Sequence, residues 1–469
     1  MRVLKRTYEE IIISSDESGN SDFEIIEENI KLNAFSKSEN VFKQKQFLNL
    51  YPQFKLMANE MPSDYTISSE ELLRAISVKK TSQEVHLLSS FDTSPSLIEN
   101  HLNKYSHIKV IILTPNPEIF IPNKRLTTIK LKVNNNGWPD RYHSKFLIKM
   151  NDDRLEIYIG TGNFNEVEFE AVQNLWFFSG RLHKLDKNTV GNKSNIFLQT
   201  FNDFFFKLAK RMDSNDAKLI NSMLQSYNLY NFDYLKNYSL IVHNFDMTIY
   251  DILGNIKSDI KLDSSNSLNL IIQCSSLGKW MNLPTKILNY FKEMIFKSSC
   301  EVSFHIIYPS VTEMLSIPKN VISAGYFYSP KLSKKTLLKF SGITDALGFG
   351  SNFNYPSHSK TYLLKQDQNV LWYYMSSANL SMTSWSNGSN YMKVKTHELG
   401  VSVISKKDLK INYINIAEAI VKKTELDKFD TVGNSGEIDV FGLINDKYII
   451  KNDSNYENFD FNSCLQKEL

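Results

Sequence analysis

Long apolar runs are missing from this chain of 469 residues. With no stretch of eighteen or more apolar residues, and no apolar core of a secretory signal near the first residue, neither a membrane-spanning nor a secreted protein is expected. Cysteine is scarce. Cys274, Cys300 and Cys464 are too few and too scattered for a disulfide framework or a zinc site, which points to a reducing compartment. Strong net charge is lacking as well: the total is +3, but residues 1–40 set five Lys/Arg against nine Asp/Glu, leaving +7 on the rest. A mildly basic body permits contact with nucleic-acid phosphates without demanding it. A hydrophobic content of 42% with 22% charged residues is that of an ordinary globular protein, and the length suits two or three domains.

Residues 1–45 read as a disordered acidic tail, clearest at Ser14-Ser15-Asp16-Glu17-Ser18-Gly19-Asn20-Ser21-Asp22. Inside it, Ile11-Ile12-Ile13 runs straight into Ser14-Ser15-Asp16-Glu17, a β-branched run with an acidic flank that could add a strand to a partner's sheet edge. It resembles a SUMO-interaction motif, so SUMO or a SUMO-modified protein is the partner expected there. From 46 to 230 helical and strand patterns alternate. Ser68 to Ile76 reads as a helix with a capping box, 84–91 and 109–114 as buried strands, 96–102 as a crossover helix, and 194–212 as a strongly aromatic helix. A similar order returns between 235 and 469, with strands at 268–273 and 303–308 and a helix near 288–295. Two halves of like order predict a duplicated α/β fold with the site between them. Residues 425–469 carry no pattern that places them.

The repeat is sharpest in its chemistry. His143-Ser144-Lys145 is followed by the apolar run 155–159 and then Asn163; His358-Ser359-Lys360 is followed by 370–375 and then Asn379. The offsets from histidine to asparagine are 20 and 21. In a strand, residues i and i+2 share a face, so His and Lys would project together. A return strand after the turn at 151–153 or 366–369 would bring the asparagine beside them. Two such units face to face would offer two imidazoles within a ring of donors, a fit for an anionic phosphate. Neutral imidazole is a competent nucleophile near pH 7 and imidazolium a competent acid, because the unperturbed pKa is about 6.5. One histidine would attack phosphorus while the other protonates the leaving oxygen and then activates water. Lys145, Lys360, Asn163 and Asn379 would hold the non-bridging oxygens. With no cysteine cluster or paired carboxylates beside them, neither metal nor cofactor is expected. Gln173 and Glu398, downstream of the two asparagines, are candidates to orient the imidazoles.

These residues carry a resemblance to the phospholipase D superfamily, whose pattern is His-x-Lys with Asp five residues beyond the Lys. Met150 and Lys365 stand at those places. Loss of both Asp with both Asn kept resembles the His-Lys-Asn branch, the tyrosyl-DNA phosphodiesterase I family, in a fungal-like form. The strings at 358–362, 376–381 with Trp385, 397–401, 307–311 and 275–278 support it, as do His143-Ser144-Lys145, Asn163 and 173–176; together they span about 55–405. The resemblance implies two α-β-α sandwich halves with the active site at their interface, and a monomeric nuclear DNA-repair hydrolase with exonuclease-like action. That hydrolase would remove the tyrosine that a stalled topoisomerase I leaves on a DNA 3′ end. It further implies His143 as nucleophile, His358 as acid then base, Glu398 orienting His143 across the interface, and Gln173 orienting His358. Ser276, Leu277, Gly278, Lys279, Ser310 and Ser381 match positions that contact DNA. Trp138-Pro139-Asp140 departs from the relatives, which tend to carry a base-stacking aromatic there; Trp138 is the candidate for that stacking. The alternatives are a nuclease or phospholipid phosphodiesterase of the same superfamily, and a non-catalytic DNA-end-binding protein. Retention of all six His, Lys and Asn residues weighs against the last.

Overall fold

The computed structural model describes residues 52–57, 66–77, 83–132, 141–170, 172, 174–185, 195–244, 247–259, 268–275, 291–293, 302–307, 343–347, 358–366, 369–385 and 393–404. The acidic tail with Ile11 to Ile13, and residues 425–469, lie outside them.

The first part of the chain supplies ten strands. They are β1 Gln53–Met57, β2 Thr66–Ile67, β3 Glu84–Ser89, β4 Ile108–Thr114, β5 Leu126–Lys130, β6 Arg141–Tyr142, β7 Phe146–Met150, β8 Arg154–Gly160, β9 Leu175–Phe178 and β10 Leu182–His183. Apart from β6 they form one sheet in the order β2-β1-β9-β8-β7-β3-β4-β5, with β10 on β8. The remaining strands are β11 Tyr238–His243, β12 Leu268–Gln273, β13 Val302–Ile307, β14 Ile343–Leu347, β15 Thr361–Gln366, β16 Asn369–Ser376 and β17 Thr396–Ile404. They make a second sheet, β11-β17-β16-β15-β12-β13-β14, with β6 attached to β17.

The two orders correspond strand for strand. The run β1-β9-β8-β7-β3-β4-β5 matches β11-β17-β16-β15-β12-β13-β14. The first four pairings of each run are antiparallel and the last two parallel. This is the expected duplicated α/β architecture. β6 is the exception to segregation: it leaves the first half and pairs in parallel with the start of β17, Arg141 opposite Thr396 and Tyr142 opposite His397.

Sequence chemistry explains the local pieces. Ser68 and Glu71 cap the helix Ser69–Leu73 reciprocally, although that helix stops at Leu73 and not Ile76. Pro at the first helical positions and the Ser94 side chain open the helix Pro95–Lys104, which connects β3 to its parallel neighbour β4. The strands are apolar on successive residues because both faces are covered. In β7, β8 and β9, Phe146, Ile148, Ile157, Ile159, Leu175 and Phe177 enter a core shared with the second sheet, where Leu363, Tyr373, Met375, Val401 and Val403 meet them. Leu147, Tyr158, Trp176 and Phe178 take the opposite face, with Leu102 of the crossover helix. Between the sheets the helix Ile196–Ala209 buries Phe197, Phe201, Phe204 and Phe205 in the shared core. Large aromatic side chains there make truncation costly, about 3–5 kcal/mol for a Phe→Ala change.

Candidate active site

Both His-x-Lys segments stand just ahead of their strands, before β7 and β15, and not within them. The reason is that each lysine is the last residue gripped by the hairpin. Gly160 N donates to Lys145 O (2.9 Å), and Ser376 N donates to Lys360 O (3.0 Å). Each ammonium then folds back on its own histidine: Lys145 Nζ donates to His143 O (2.7 Å), and Lys360 Nζ donates to His358 O. The return strands β8 and β16 end three residues before Asn163 and Asn379. The hairpin turn at 151–153 is tied by Asn151 Oδ1, which accepts from Asp153 N and Arg154 N.

β6 carries His143 to the other half. His143 N donates to His397 O (2.9 Å) and Arg141 N to Lys395 O (3.0 Å), while the Ser144 hydroxyl donates to His397 O (2.9 Å). That stitching brings His143 Nδ1 to 2.8 Å from Glu398 Oε2, the crossed pairing expected. Glu398 Oε2 also accepts from Ser377 Oγ (2.6 Å), and its Oε1 accepts from Ser384 Oγ (2.9 Å).

Among the described residues, Glu168 is a carboxylate partner of His358, a contact not foreseen from the sequence. Glu168 places Oε1 3.0 Å and Oε2 3.2 Å from His358 Nδ1. Gln173, assigned that role from sequence, lies outside the described residues. The register relates this arrangement to that of Glu398. Thr161 pairs with Leu175 as Ser377 pairs with Leu399, through matching backbone and hydroxyl bonds. The first-half counterpart of Glu398 is therefore Asn174, one residue beyond Gln173. Asn174 Nδ2 donates to Glu168 Oε2 (2.8 Å) and does not itself meet the imidazole. Asn163 Nδ2 donates to Glu168 Oε1 (2.8 Å), and Asn165 Oδ1 accepts from Glu168 N (2.8 Å). The only signal in the sequence is that Glu168 lies between Val167 and Phe169, but Glu166 and Glu170 repeat the same alternation. Gly162 permits this packing, because a Cβ there would come within 2.5 Å of the Asn174 side chain.

A carboxylate only accepts, so Nδ1 of each imidazole carries the proton and Nε2 keeps its lone pair. Burial dominates the titration. It presses His143 below the usual imidazole range and His358 to about 3, against the pull of Glu398 and Glu168. The lysine of the opposite half adds to each: Lys360 bears on His143, and Lys145 on His358. Burial also lowers Lys145 to about 8, and burial followed by the Lys145 charge takes Lys360 well below the lysine range. Burial would raise Glu398 and Glu168, but the facing imidazoles and lysines hold both below the carboxylate range. One small volume therefore holds two imidazoles and two lysines of lowered proton affinity, with two carboxylates kept ionised beside them. His143 is the more open ring, 17% exposed against 4% for His358.

Asn379 Oδ1 accepts from Ser275 N (3.2 Å) and Ser275 Oγ (3.1 Å). Ser381 is buried, with its hydroxyl 3.0 Å from Thr383 Oγ1 and donating to Ser384 Oγ (3.2 Å). Ser276, Leu277, Gly278, Lys279, Ser310 and Trp138 lie outside the described residues. Among the described residues no group of three or more His, Cys, Asp or Glu is placed to hold a metal ion.

Two matching α/β halves each bring His, Lys and Asn to a common interface, and the family match makes the protein a phosphodiesterase. The family described as tyrosyl-DNA phosphodiesterase matches residues 54–438, more than half of the chain, and the chain belongs to that family. The yeast tyrosyl-DNA phosphodiesterase crystal structure superposes with a TM-score of 0.57 at 17% identity, covering 76% of this chain and 90% of that one. A mutant of the yeast enzyme gives a TM-score of 0.58 at 17% identity, covering 76% and 89%. Both likenesses concern the fold. A 1-deoxy-D-xylulose 5-phosphate reductoisomerase from Malacoplasma penetrans is 26% identical over 292 residues, 56% of this chain and 71% of that protein.

Proposed function

We propose that this protein hydrolyses the 3′-phosphotyrosyl bond that a topoisomerase I remnant leaves on DNA, through a covalent phosphohistidine and without a metal ion. One observation carries the reading: each imidazole is backed at Nδ1 by a carboxylate of the opposite half, so two Nε2 atoms with opposite tasks serve one phosphate. His143 Nε2 donates its lone pair to phosphorus while the bond from phosphorus to the tyrosyl oxygen breaks. That oxygen takes the Nε2 proton of imidazolium His358. Neutral His358 then removes a proton from water, whose oxygen attacks phosphorus as the bond to His143 breaks, releasing a DNA 3′-phosphate.

Lys145 and Lys360 supply positive charge to the non-bridging oxygens, and the amides of Asn163 and Asn379 supply donors. Asn163 gives one amide hydrogen to Glu168, and an amide nitrogen has two. The free site disfavours the imidazolium that the first step needs, but a phosphodiester adds negative charge among the lysines and raises His358 toward protonation. Nuclear residence, a monomer, DNA contact through Ser276 to Lys279, Ser310 and Ser381, and SUMO binding by Ile11 to Ile13 belong to the same proposal. No described helix is long and apolar enough to cross a membrane.

The direct assay is release of tyrosine from a 3′-phosphotyrosyl oligonucleotide. His143→Ala is expected to abolish it, and wild-type activity is expected to persist in EDTA. Full activity of His143→Ala, or complete loss on chelation, would overturn the scheme.

A further inference from the structure

A chain of buried hydroxyls ends on Glu398. Ser381 Oγ and Thr396 Oγ1 each donate to Ser384 Oγ at 3.2 Å. Ser384 Oγ donates in turn to Glu398 Oε1 (2.9 Å). Ser377 Oγ donates to Oε2 (2.6 Å), the oxygen that faces His143 Nδ1. A carboxylate only accepts, so the single hydrogen of Ser384 is committed to Glu398. All four hydroxyl residues are buried, and there such a chain is polarised along its length toward the carboxylate.

Ser384 stands on a rigid footing. It belongs to the short helix Met382–Trp385, where its N donates to Ser381 O (3.2 Å) and its O accepts from His243 Nδ1 (2.7 Å). Lys395 N donates to Thr383 O (2.7 Å), which ties the helix to the approach to β17. Beside it, Trp385 meets the His243 ring edge-on with centroids 4.6 Å apart, and its Nε1 donates to the Tyr362 hydroxyl (3.1 Å). The Ser384 hydroxyl is therefore aimed by the fold and not by Glu398 alone.

Three donors meet Glu398, and a carboxylate so occupied is a weak base. Burial would raise its proton affinity, but His143, Lys145 and the Ser377 hydroxyl hold it below the carboxylate range. We infer that Ser384 is a positioning residue for the second chemical step: through Glu398 it keeps a proton on Nδ1 of phosphorylated His143. This rests on the proposed covalent intermediate. With phosphorus on Nε2 and hydrogen on Nδ1, the imidazole is cationic. When water attacks, its proton passes to His358, the bond from phosphorus to Nε2 breaks, and the electron pair returns to Nε2, so His143 departs as neutral imidazole. Were the Nδ1 proton on Glu398 instead, the departing group would be imidazolate, a far poorer leaving group, and the adduct would persist. Hydroxyl donors on Glu398 favour the first arrangement. Ser384 is the donor to vary, because Ser377 Oγ also accepts from Leu399 N (3.1 Å) and so bears on the pairing of β16 with β17.

The test is rapid-quench kinetics on the full-length protein with a 3′-phosphotyrosyl oligonucleotide, following tyrosine, DNA 3′-phosphate and covalent adduct separately. Ser384→Ala should release tyrosine in the first turnover at least as fast as the wild type, because a more basic Glu398 strengthens the attacking imidazole. Release of the 3′-phosphate should slow roughly 10-fold, with the adduct accumulating to match. Ser384→Thr, which keeps the hydroxyl, should restore turnover. Thr396→Val takes one donor from Ser384 and leaves the Ser384 hydroxyl on Glu398, so it should show the same accumulation to a smaller degree, including where Ser384→Ala fails to fold. Equal slowing of both steps, unaltered kinetics, no rescue by threonine, or no accumulation in Thr396→Val overturns the role of Ser384. Failure of the wild type to release tyrosine at all overturns the proposed function, and this inference with it.

Discussion

Glu398 and Asn174 occupy equivalent places in the two sheets, yet only Glu398 reaches a histidine. In the first half a second residue, Glu168, stands between the amide and His358. Both imidazoles thereby have carboxylate partners, though one carboxylate is held by serine hydroxyls and the other by asparagine amides. Glu168 raises the affinity of His358 for a proton. Glu168→Gln therefore lowers that affinity further, and the limb of the pH–rate profile that needs imidazolium moves to lower pH. Loss of an orienting partner is expected to cost roughly 10- to 100-fold in kcat/KM. An unchanged profile with unchanged rate would remove Glu168 from the mechanism. The six His, Lys and Asn residues were legible because the chain writes them twice. Glu168 was not, because its spacing has no counterpart: it lies five residues past Asn163, whereas Glu398 lies nineteen past Asn379.

Strands could be read from their apolar runs, and the helix Pro95–Lys104 from its place between two of them. β6 could not, since two residues ahead of a catalytic motif carry no period. Nor could the polar clasp at the start of β3. Buried Glu84 accepts from Ile76 N and Ser77 N, each at 2.8 Å, and lies 2.5 Å from His86 Nε2, whose Nδ1 is 3.0 Å from His101 Nε2. It fastens the segment after the helix Ser69–Leu73 to the sheet. Burial opposes ionisation of Glu84, but His86 and the two amides hold it at about 2. Its contribution is thus present above the ordinary carboxylate pKa and is lost as pH falls through about 2. Glu84→Ala strands three buried polar groups, and urea unfolding at pH 7 is expected to show a loss of about 3–5 kcal/mol. A change below about 1 kcal/mol would mean that the clasp does not bear on stability.

At the scale of the molecule, duplication makes a site that neither half completes. The halves exchange their essentials: β6 and His143 lean on β17 and Glu398, while His358 leans on Glu168. The family resemblance, and not the order of the motifs, implied that Glu398 crosses to His143, because the exchange depends on registers that become visible only when the strands are paired. The crowding of Lys145, Lys360 and the two imidazoles has a consequence for binding. Their proton affinities are lowered in the free protein, and an anion raises them, so anion binding takes up protons; for Lys145 the binding tightens as pH falls toward about 8, where the free lysine titrates. Calorimetry of a 3′-phosphate oligonucleotide in buffers of different ionisation enthalpy should register net uptake. Zero uptake, or release, would contradict the charge arrangement described.

The most direct measurement concerns the bond proposed to form at His143. Tyrosine is a tolerable leaving group, with a phenol pKa of about 10, so the first step suffers less from loss of the acid than the second suffers from loss of the base. His358→Ala, incubated with a 3′-phosphotyrosyl oligonucleotide and digested for mass spectrometry, should retain the DNA 3′-phosphoryl group on the peptide containing His143. An adduct on any other residue, or release of tyrosine with no adduct at any time, would contradict the account.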